Sequence, residues 1–228
     1  TQFASSAASD VYKRQVHCSL DEFPRCADWK HLVAGFRAPD CPIKVSLPCI
    51  GVYGSKACFS NVGAACQPVN IYDIEEGYAD FLKHVTDGAE LNLGEQRGDI
   101  LNIDFTKLED SHILLSGPPC PPWAGNGNKN STNDQREKVF HKVLQIIIYL
   151  AQRGLLAFII EIGFGGNSRQ KKCSDAVRDA LLAVLPGWDI SVKHTRASKF
   201  MLAQHGFGIL FIGVKKKVAI FVRKAIKQ

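Results

Sequence analysis

Beyond residue 42, short apolar runs alternate along the chain with longer segments whose apolar residues recur at helical spacing. This alternation is typical of βαβ units, in which helices connect parallel strands and cover both faces of one sheet. The apolar runs predict strands at residues 43–47, 69–72, 113–115, 155–160 and 209–214. The helical spacing predicts helices at residues 75–85, 135–151 and 172–185. We therefore predict an α/β fold with right-handed crossovers.

The length and charge of the chain indicate one principal domain with a basic end. At 228 residues the chain is long enough for one good-sized hydrophobic core. We predict that residues 43–214 form this core and that residues 1–42 are an N-terminal extension, poorly ordered at its start. Residues 215–228 form a basic tail that accounts for the net charge of +6. Such a tail can bind a phosphate backbone, although short basic runs are more often solvated ends.

No segment of the sequence has the pattern of a membrane span or a secretory signal. The longest apolar stretch, residues 143–166, contains Arg153 and Glu161, and residues 1–15 lack an apolar stretch. The eight cysteines include no C-x-x-C pair, which favours reduced thiols over a zinc site or a disulfide framework. We expect an intracellular monomer without metal or membrane contact, in the nucleus if the source is eukaryotic and otherwise in the cytoplasm.

Candidate ligand-binding residues follow three of the predicted strands, because ligands of open α/β sheets bind beyond the carboxyl ends of strands. Gly51 and Gly54 follow the first strand, where bare backbone can approach a cofactor or simply form a tight turn. Asp73, closely followed by Glu75, ends the second strand, where a carboxylate can accept hydrogen bonds from ribose hydroxyls or cap a helix. Asp99 can reach the same crevice as an acceptor for an exocyclic amine, or belong to a surface turn.

A loop with four prolines, residues 116–125, surrounds Cys120 directly after a predicted strand. Proline fixes its own φ and restricts the residue before it, so the loop holds the Cys120 sulfur in a defined direction. A buried structural cysteine needs no such constraint. We therefore predict that Cys120 is a nucleophile, with a rigid turn that carries an incidental cysteine as the alternative.

Together these residues resemble the cytosine-C5 DNA methyltransferases, a family whose nucleophile loop reads Gly-Phe/Pro-Pro-Cys. Pro119 and Cys120 end that loop here, and Asp134 and Arg136 match the family's Asp-x-Arg segment. Glu161 matches the acid of the family's Glu-Asn-Val segment, which reads Glu-Ile-Gly in this chain. The resemblance extends from residue 43 to about residue 214 and implies a Rossmann-like methyltransferase sheet.

The resemblance also implies a reaction on a cytosine that is flipped out of its nucleic-acid stack, in DNA rather than RNA. Cys120 would add to C6 while Glu161 hydrogen-bonds N3, and C5 would then take a methyl group from S-adenosylmethionine. The implied catalytic residues are Cys120, Glu161 and Pro119, and the implied cofactor-binding residues are Gly51, Gly54, Asp73, Glu75, Asp99 and Ile100. Alternatively, Glu161 is a surface acid or a helix cap. Arg136 either anchors a phosphate or the catalytic loop, or it only pairs with Asp134.

The chain departs from the family pattern most strongly near its C-terminal end. The family's Gln-x-Arg-x-Arg segment falls on Gln204, Gly206 and Gly208, so glycines replace the two arginines that help to hold the target base. No target-recognition region follows residue 214, so we interpret the chain as a truncated or divergent member. The alternatives are a catalytically inactive methyltransferase-like binding protein and an enzyme that methylates tRNA.

Overall fold

A seven-stranded sheet dominates the part of the chain that the structure describes. The structure is a computed structural model and describes residues 42–51, 64–86, 88–124, 134–164, 168–196 and 207–218. The strands are β1 (Ile43–Pro48), β2 (Cys66–Asp73), β3 (Leu91–Leu93), β4 (Ile113–Ser116), β5 (Ala157–Phe164), β6 (Trp188–Arg196) and β7 (Phe207–Lys215). The α-helices are α1 (Ala79–Val85), α2 (Gly94–Arg97), α3 (Gln135–Ala151) and α4 (Ser168–Val184), and short 3-10 turns lie at Glu76–Tyr78, Ile100–Asn102 and Phe105–Lys107.

The strand order across the sheet is β3-β2-β1-β4-β5-β7-β6. The first five strands pair in parallel with their neighbours, whereas β7 lies antiparallel between β5 and β6. All five predicted strands are present, with ends that differ by a few residues. The predicted α/β fold class is therefore confirmed.

Buried side chains form two clusters on opposite faces of the sheet. Leu114 of β4 belongs to the larger cluster, which contains Phe140 and other residues of α3. The next residue, Leu115, packs against the smaller cluster, which contains Leu82 of α1. Because successive strand residues point to opposite faces, α3 and α1 cover opposite sides of the sheet, as predicted.

Two strands and two helices differ from the sequence-based expectation, and α4 begins at Ser168, four residues before the predicted start. β3 has only three residues, and β6 alternates apolar and polar residues instead of forming an apolar run. The predicted helix at residues 75–85 is divided into a 3-10 turn and α1, and the Glu75 side chain caps the turn by accepting from the N–H of Gly77. No described helix is long and apolar enough to span a membrane.

Asn70 joins β1, β2 and the segment before β4 through a polar network. It is the extra residue of a bulge in β2 and has a φ of +50°, in the left-handed region. Its Nδ2 donates to Ser46 Oγ (2.7 Å) and to the carbonyl oxygen of Glu109 (2.8 Å), and its Oδ1 accepts from the N–H of Glu109 (2.8 Å). Ser46 and its partner Ser111 are both buried. The side-chain amide of Asn70 therefore makes hydrogen bonds with backbone and hydroxyl groups that have no strand-to-strand hydrogen bond at this point.

Replacing Asn70 with alanine should lower the free energy of unfolding by about 2–4 kcal/mol, because three hydrogen bonds are lost and a Cβ residue must adopt a left-handed φ. Asn70→Gly is the matched control, since it loses the same hydrogen bonds but tolerates this φ. It should be more stable than Asn70→Ala by about 1 kcal/mol. Urea denaturation followed by circular dichroism measures both variants. An Asn70→Ala variant as stable as the unmodified protein would contradict this account.

Candidate active site

The loops after β1 and β4 are tied together at the carboxyl ends of the parallel strands. The hydroxyl of Ser116, the last residue of β4, donates to the carbonyl oxygen of Pro48 at 2.6 Å. The N–H of Gly117 donates to the carbonyl oxygen of Cys49 at 3.3 Å. These bonds position the Cys120 loop beside the predicted cofactor loop, at the edge of the sheet where ligands of α/β proteins bind.

Asp73, the last residue of β2, connects the first two loops. Its Oδ2 accepts from the N–H of Gly51 at 2.9 Å, and its Oδ1 accepts from the N–H of Glu75 at 3.0 Å. Asp73 thus binds the residue before the following turn, whereas Glu75 itself caps that turn. Gly51 has a φ of +53°, and a Cβ added there would meet no atom of the described residues within 4 Å. Each oxygen of Asp73 keeps a second lone pair for a ligand.

The thiol of Cys49 lies within electrostatic range of both Asp73 and Asp99. Burial raises the pKa of this thiol to about 12; the two carboxylates raise it further, and a hydrogen bond with Ser116 opposes the shift. The two acids predicted for the cofactor site therefore lie near one point, although 26 residues separate them in the sequence. A thiol with this pKa stays protonated at neutral pH, so Cys49 does not compete as a nucleophile.

Asp99 and Ile100 begin a 3-10 turn. Asp99 Oδ1 accepts from the N–H of Leu101 at 2.9 Å, and the Ile100 side chain is 3% exposed within the larger core cluster. By contrast, Ile74, directly after Asp73, is 58% exposed. Ile74 was not among the predicted site residues, because its exposure cannot be read from the local sequence. It offers an apolar contact surface beside the crevice.

The loop after β4 holds Cys120 against β5. Trp123 packs edge-to-face on Phe140 of α3, with 5.7 Å between ring centroids, which anchors the loop to the larger core cluster. Cys120 is partly buried, and its Sγ accepts from the backbone N–H of Gly163 at 3.1 Å. Pro119, directly before the thiol, is exposed. The sulfur is therefore held from both sides, by its own loop and by the neighbouring strand.

Asp134 and Arg136 form the start of α3 near Cys120. Asp134 Oδ1 accepts from the N–H of Arg136 at 2.9 Å, and Arg136 Nη2 lies 2.6 Å from Asp134 Oδ2. The hydrogen bonds with Arg136 lower the pKa of Asp134. The hydrogen bond to Asp134 raises the pKa of Arg136, and negative charge on Cys120 adds to this shift. The predicted pairing of Arg136 with Asp134 is thus present, and the guanidinium is also within electrostatic range of the Cys120 sulfur.

Glu161 lies inside β5, two residues before Gly163 and on the same face of the sheet. Its side chain is exposed, yet desolvation by the surrounding protein raises the pKa of the carboxyl above its usual value. Gly208 of β7 pairs with Gly163, and a Cβ added to Gly208 would lie 3.1 Å from both Glu161 Oε1 and Thr195 Oγ1. Glycine therefore leaves the space beside the carboxylate free. Gly54, Gln204 and Gly206 lie outside the described residues.

The raised pKa of Glu161 predicts a pH-dependent effect of Glu161→Gln on stability. Desolvation penalises the carboxylate in the folded state, so the stability contributed by the protonated form is present at low pH and lost as pH rises through the folded-state pKa. Glutamine remains neutral, so Glu161→Gln should melt slightly higher than the unmodified protein at neutral pH and equally at acidic pH. Thermal unfolding across this pH range provides the test, and an advantage confined to acidic pH would contradict the argument.

Comparison with known sequences shows what this chain is similar to. Residues 49–156 match the family model described as C-5 cytosine-specific DNA methylase. The chain is 25% identical over 123 residues to a type II methyltransferase, M.FnuDI, of Fusobacterium nucleatum, a match that covers 54% of this chain and 34% of that protein. It is 24% identical over 169 residues to the type II methylase M.HgiEI of Herpetosiphon aurantiacus, covering 74% and 36% respectively. The matches thus span about a third of the length of these relatives.

Solved structures agree with the fold. A Spodoptera frugiperda DNMT2 variant superposes with a TM-score of 0.55 at 18% identity, covering 76% of this chain and 50% of that one. A prophage-encoded Escherichia coli protein described as a putative DNA modification methyltransferase superposes with a TM-score of 0.53 at 17% identity, covering 78% and 48%. At these identities the similarity establishes a shared Rossmann-like methyltransferase fold.

Proposed function

We propose that the chain is a divergent member of the cytosine-C5 methyltransferase family and that it transfers a methyl group to C5 of cytosine in DNA through a covalent adduct with Cys120. One observation carries the proposal: the Cys120 sulfur is hydrogen-bonded to Gly163, two residues after Glu161 on the same strand. The nucleophile and the acid that this chemistry needs are therefore neighbours in space.

The residues described at Gly51, Asp73 and Asp99 suit the family's cofactor, S-adenosylmethionine, which supplies an electrophilic methyl group when bound. Asp73 and Asp99 lie near the same thiol and offer acceptor oxygens for hydroxyl and amine donors. The missing Cβ of Gly51 lets the backbone approach a ligand closely, and exposed Ile74 offers apolar contact. We assign Gly51, Asp73, Asp99 and Ile74 to cofactor binding on this basis.

Cys120 forms the bond to C6 of a cytosine that has been flipped out of its stack. The N–H of Gly163 donates to the Cys120 sulfur, and Arg136 lies within electrostatic range of it. Addition at C6 places negative charge on the ring, and Glu161 relieves it by sharing a proton with N3. Desolvation, which raises the pKa of Glu161, favours the protonated form that this step requires. Loss of the C5 proton after methylation expels the Cys120 sulfur and restores the ring.

An inactive cofactor-binding protein is the second candidate, and Gly208 is the observation that favours it. Glycine lies directly beside Glu161, so no arginine side chain approaches the carboxylate from this position. A flipped base would then lose a charged hydrogen-bond donor on that side. The hydroxyl of Thr195 lies in the same space, where it donates to the carbonyl oxygen of Gly208 at 3.3 Å.

Labelled S-adenosylmethionine tests the proposal on the full chain. The protein is incubated separately with duplex DNA of mixed sequence and with tRNA, and 5-methylcytosine is measured by mass spectrometry. We expect transfer to DNA. Transfer to tRNA alone would show that the substrate is RNA and not DNA. Cofactor binding in calorimetry without transfer to either nucleic acid would support the inactive protein. Neither binding nor transfer would overturn both candidates.

A further inference from the structure

Strand β5 extends beyond its partner β4, so a backbone N–H group of β5 next to Cys120 has no partner on β4. The parallel pairing of β4 with β5 ends at Ser116 and Ile160. Gly163 lies three residues further along β5, so its N–H has no β4 residue to bind. The Cys120 loop, which continues from β4, supplies the acceptor instead, and the sulfur lies 3.1 Å from this nitrogen.

The same residue also meets a strict steric requirement. A Cβ added to Gly163 would lie 2.8 Å from Cys120 Sγ, closer than carbon and sulfur atoms approach without displacement. Among the described residues beyond its chain neighbours, no other atom comes within 4 Å of that position. The sulfur therefore occupies the space that a side chain at residue 163 would take, and any residue other than glycine must move it.

We propose that Gly163 is the positioning residue of the nucleophile: its N–H orients the Cys120 sulfur, and its missing Cβ makes room for that sulfur. The inference rests on the proposed function only in taking Cys120 as the nucleophile. Among the described residues, Arg136 lies within electrostatic range of the sulfur, and Glu161 lies on the face of β5 that carries Gly163.

A double-mutant cycle on the full chain tests the steric part. Gly163→Ala should lower the melting temperature by about 3–8 °C when Cys120 is present, because overpacking strains the site. In a Cys120→Ala background the same change should cost less than about 2 °C, since the obstructing sulfur is gone. Equal losses in the two backgrounds would overturn the proposal. If Gly163→Ala alone fails to fold, a folded double variant supports the proposal and an unfolded one overturns it.

The rate of Cys120 alkylation tests the orientation of the sulfur. Iodoacetamide labelling is measured for this residue by peptide mass spectrometry, because the chain contains seven other cysteines. Gly163→Ala should change the rate of Cys120 labelling about fivefold or more, because the added Cβ displaces the sulfur. The control is Gly187→Ala, where the added Cβ meets no described atom within 4 Å. An unchanged rate in Gly163→Ala would overturn the orienting role.

These measurements separate the inference from the function it rests on. Neither the melting temperatures nor the alkylation rate requires methyl transfer. Coupling between Gly163 and Cys120 without transfer to any substrate would defeat the proposed function alone. Transfer without such coupling would defeat the positioning role alone.

Discussion

Replacing Cys120 with alanine is expected to reduce methyl transfer about a thousandfold or more, because the reaction loses the atom that adds to C6. S-adenosylmethionine binding should be unchanged, since the acids that we propose for the cofactor, Asp73 and Asp99, lie within electrostatic range of Cys49 and belong to other loops than Cys120. The protein should also fold as before, because the loop keeps its anchor between Trp123 and Phe140. Transfer of a labelled methyl group and calorimetric cofactor binding measure the two effects separately.

A DNA duplex that carries 5-fluorocytosine shows whether the lost activity reflects covalent chemistry. Fluorine at C5 blocks the elimination that releases the enzyme, so the unmodified protein should form an adduct that survives denaturation. Cys120→Ala should form none, whereas Cys173→Ala on α4 should form the adduct as well as the unmodified protein does. An adduct with Cys120→Ala, or transfer at the unmodified rate, would show that another residue is the nucleophile.

Gly98→Ala is expected to destabilise the fold by about 2–4 kcal/mol and to weaken cofactor binding about tenfold. A Cβ at residue 98 would collide with the carbonyl oxygen of Asp73 and lie 2.7 Å from Leu93 Cα and 2.8 Å from the carbonyl oxygen of Asn92. All three are backbone atoms, so none can rotate away. The strain falls between Asp73 and Asp99, the two acids that we assign to the cofactor.

The control for this prediction is again Gly187→Ala, which adds the same methyl group in open space and should change stability by less than about 0.5 kcal/mol. Urea denaturation gives the stability difference, and calorimetry gives the affinity for S-adenosylmethionine. Were Gly98→Ala to match the control in both measurements, the close approach of this glycine to β2 would have no energetic importance. A loss of stability with unchanged affinity would instead separate the packing of Gly98 from the cofactor site.

The fold was predictable to the extent that each element carries its own local pattern. Apolar runs revealed the five strands that are buried, and helical spacing gave α3 its observed bounds, Gln135–Ala151. β6 escaped because its residues alternate in polarity, and β3 because three residues form no pattern. The insertion of β7 between β5 and β6 was not predictable from local patterns, since strand order depends on contacts between distant segments.

In the candidate site, too, some features were predictable from the local sequence and others were not. The Pro-Pro-Cys loop, the Asp134–Arg136 segment and Glu161 were readable because each is a short run of adjacent residues. The choice between phosphate binding and pairing for Arg136 was open in the sequence, and the geometry shows the pairing with Asp134 at 2.6 Å. Ile74 and Gly163 were missed because exposure and a contact across strands are not properties of a local segment.

The sequence by itself determined the fold class, the family resemblance and the positions of Cys120, Glu161 and the strand-end acids, because these follow from residue types at short spacing along the chain. Only the tertiary structure decided that Cys49 lies near both Asp73 and Asp99, that Gly163 binds the Cys120 sulfur and that Gly208 lies beside Glu161. The physical reason is strand register: β4 stops short of β5 and β7 pairs with β5 along its whole length, and these two facts bring residues far apart in sequence to one edge of the sheet.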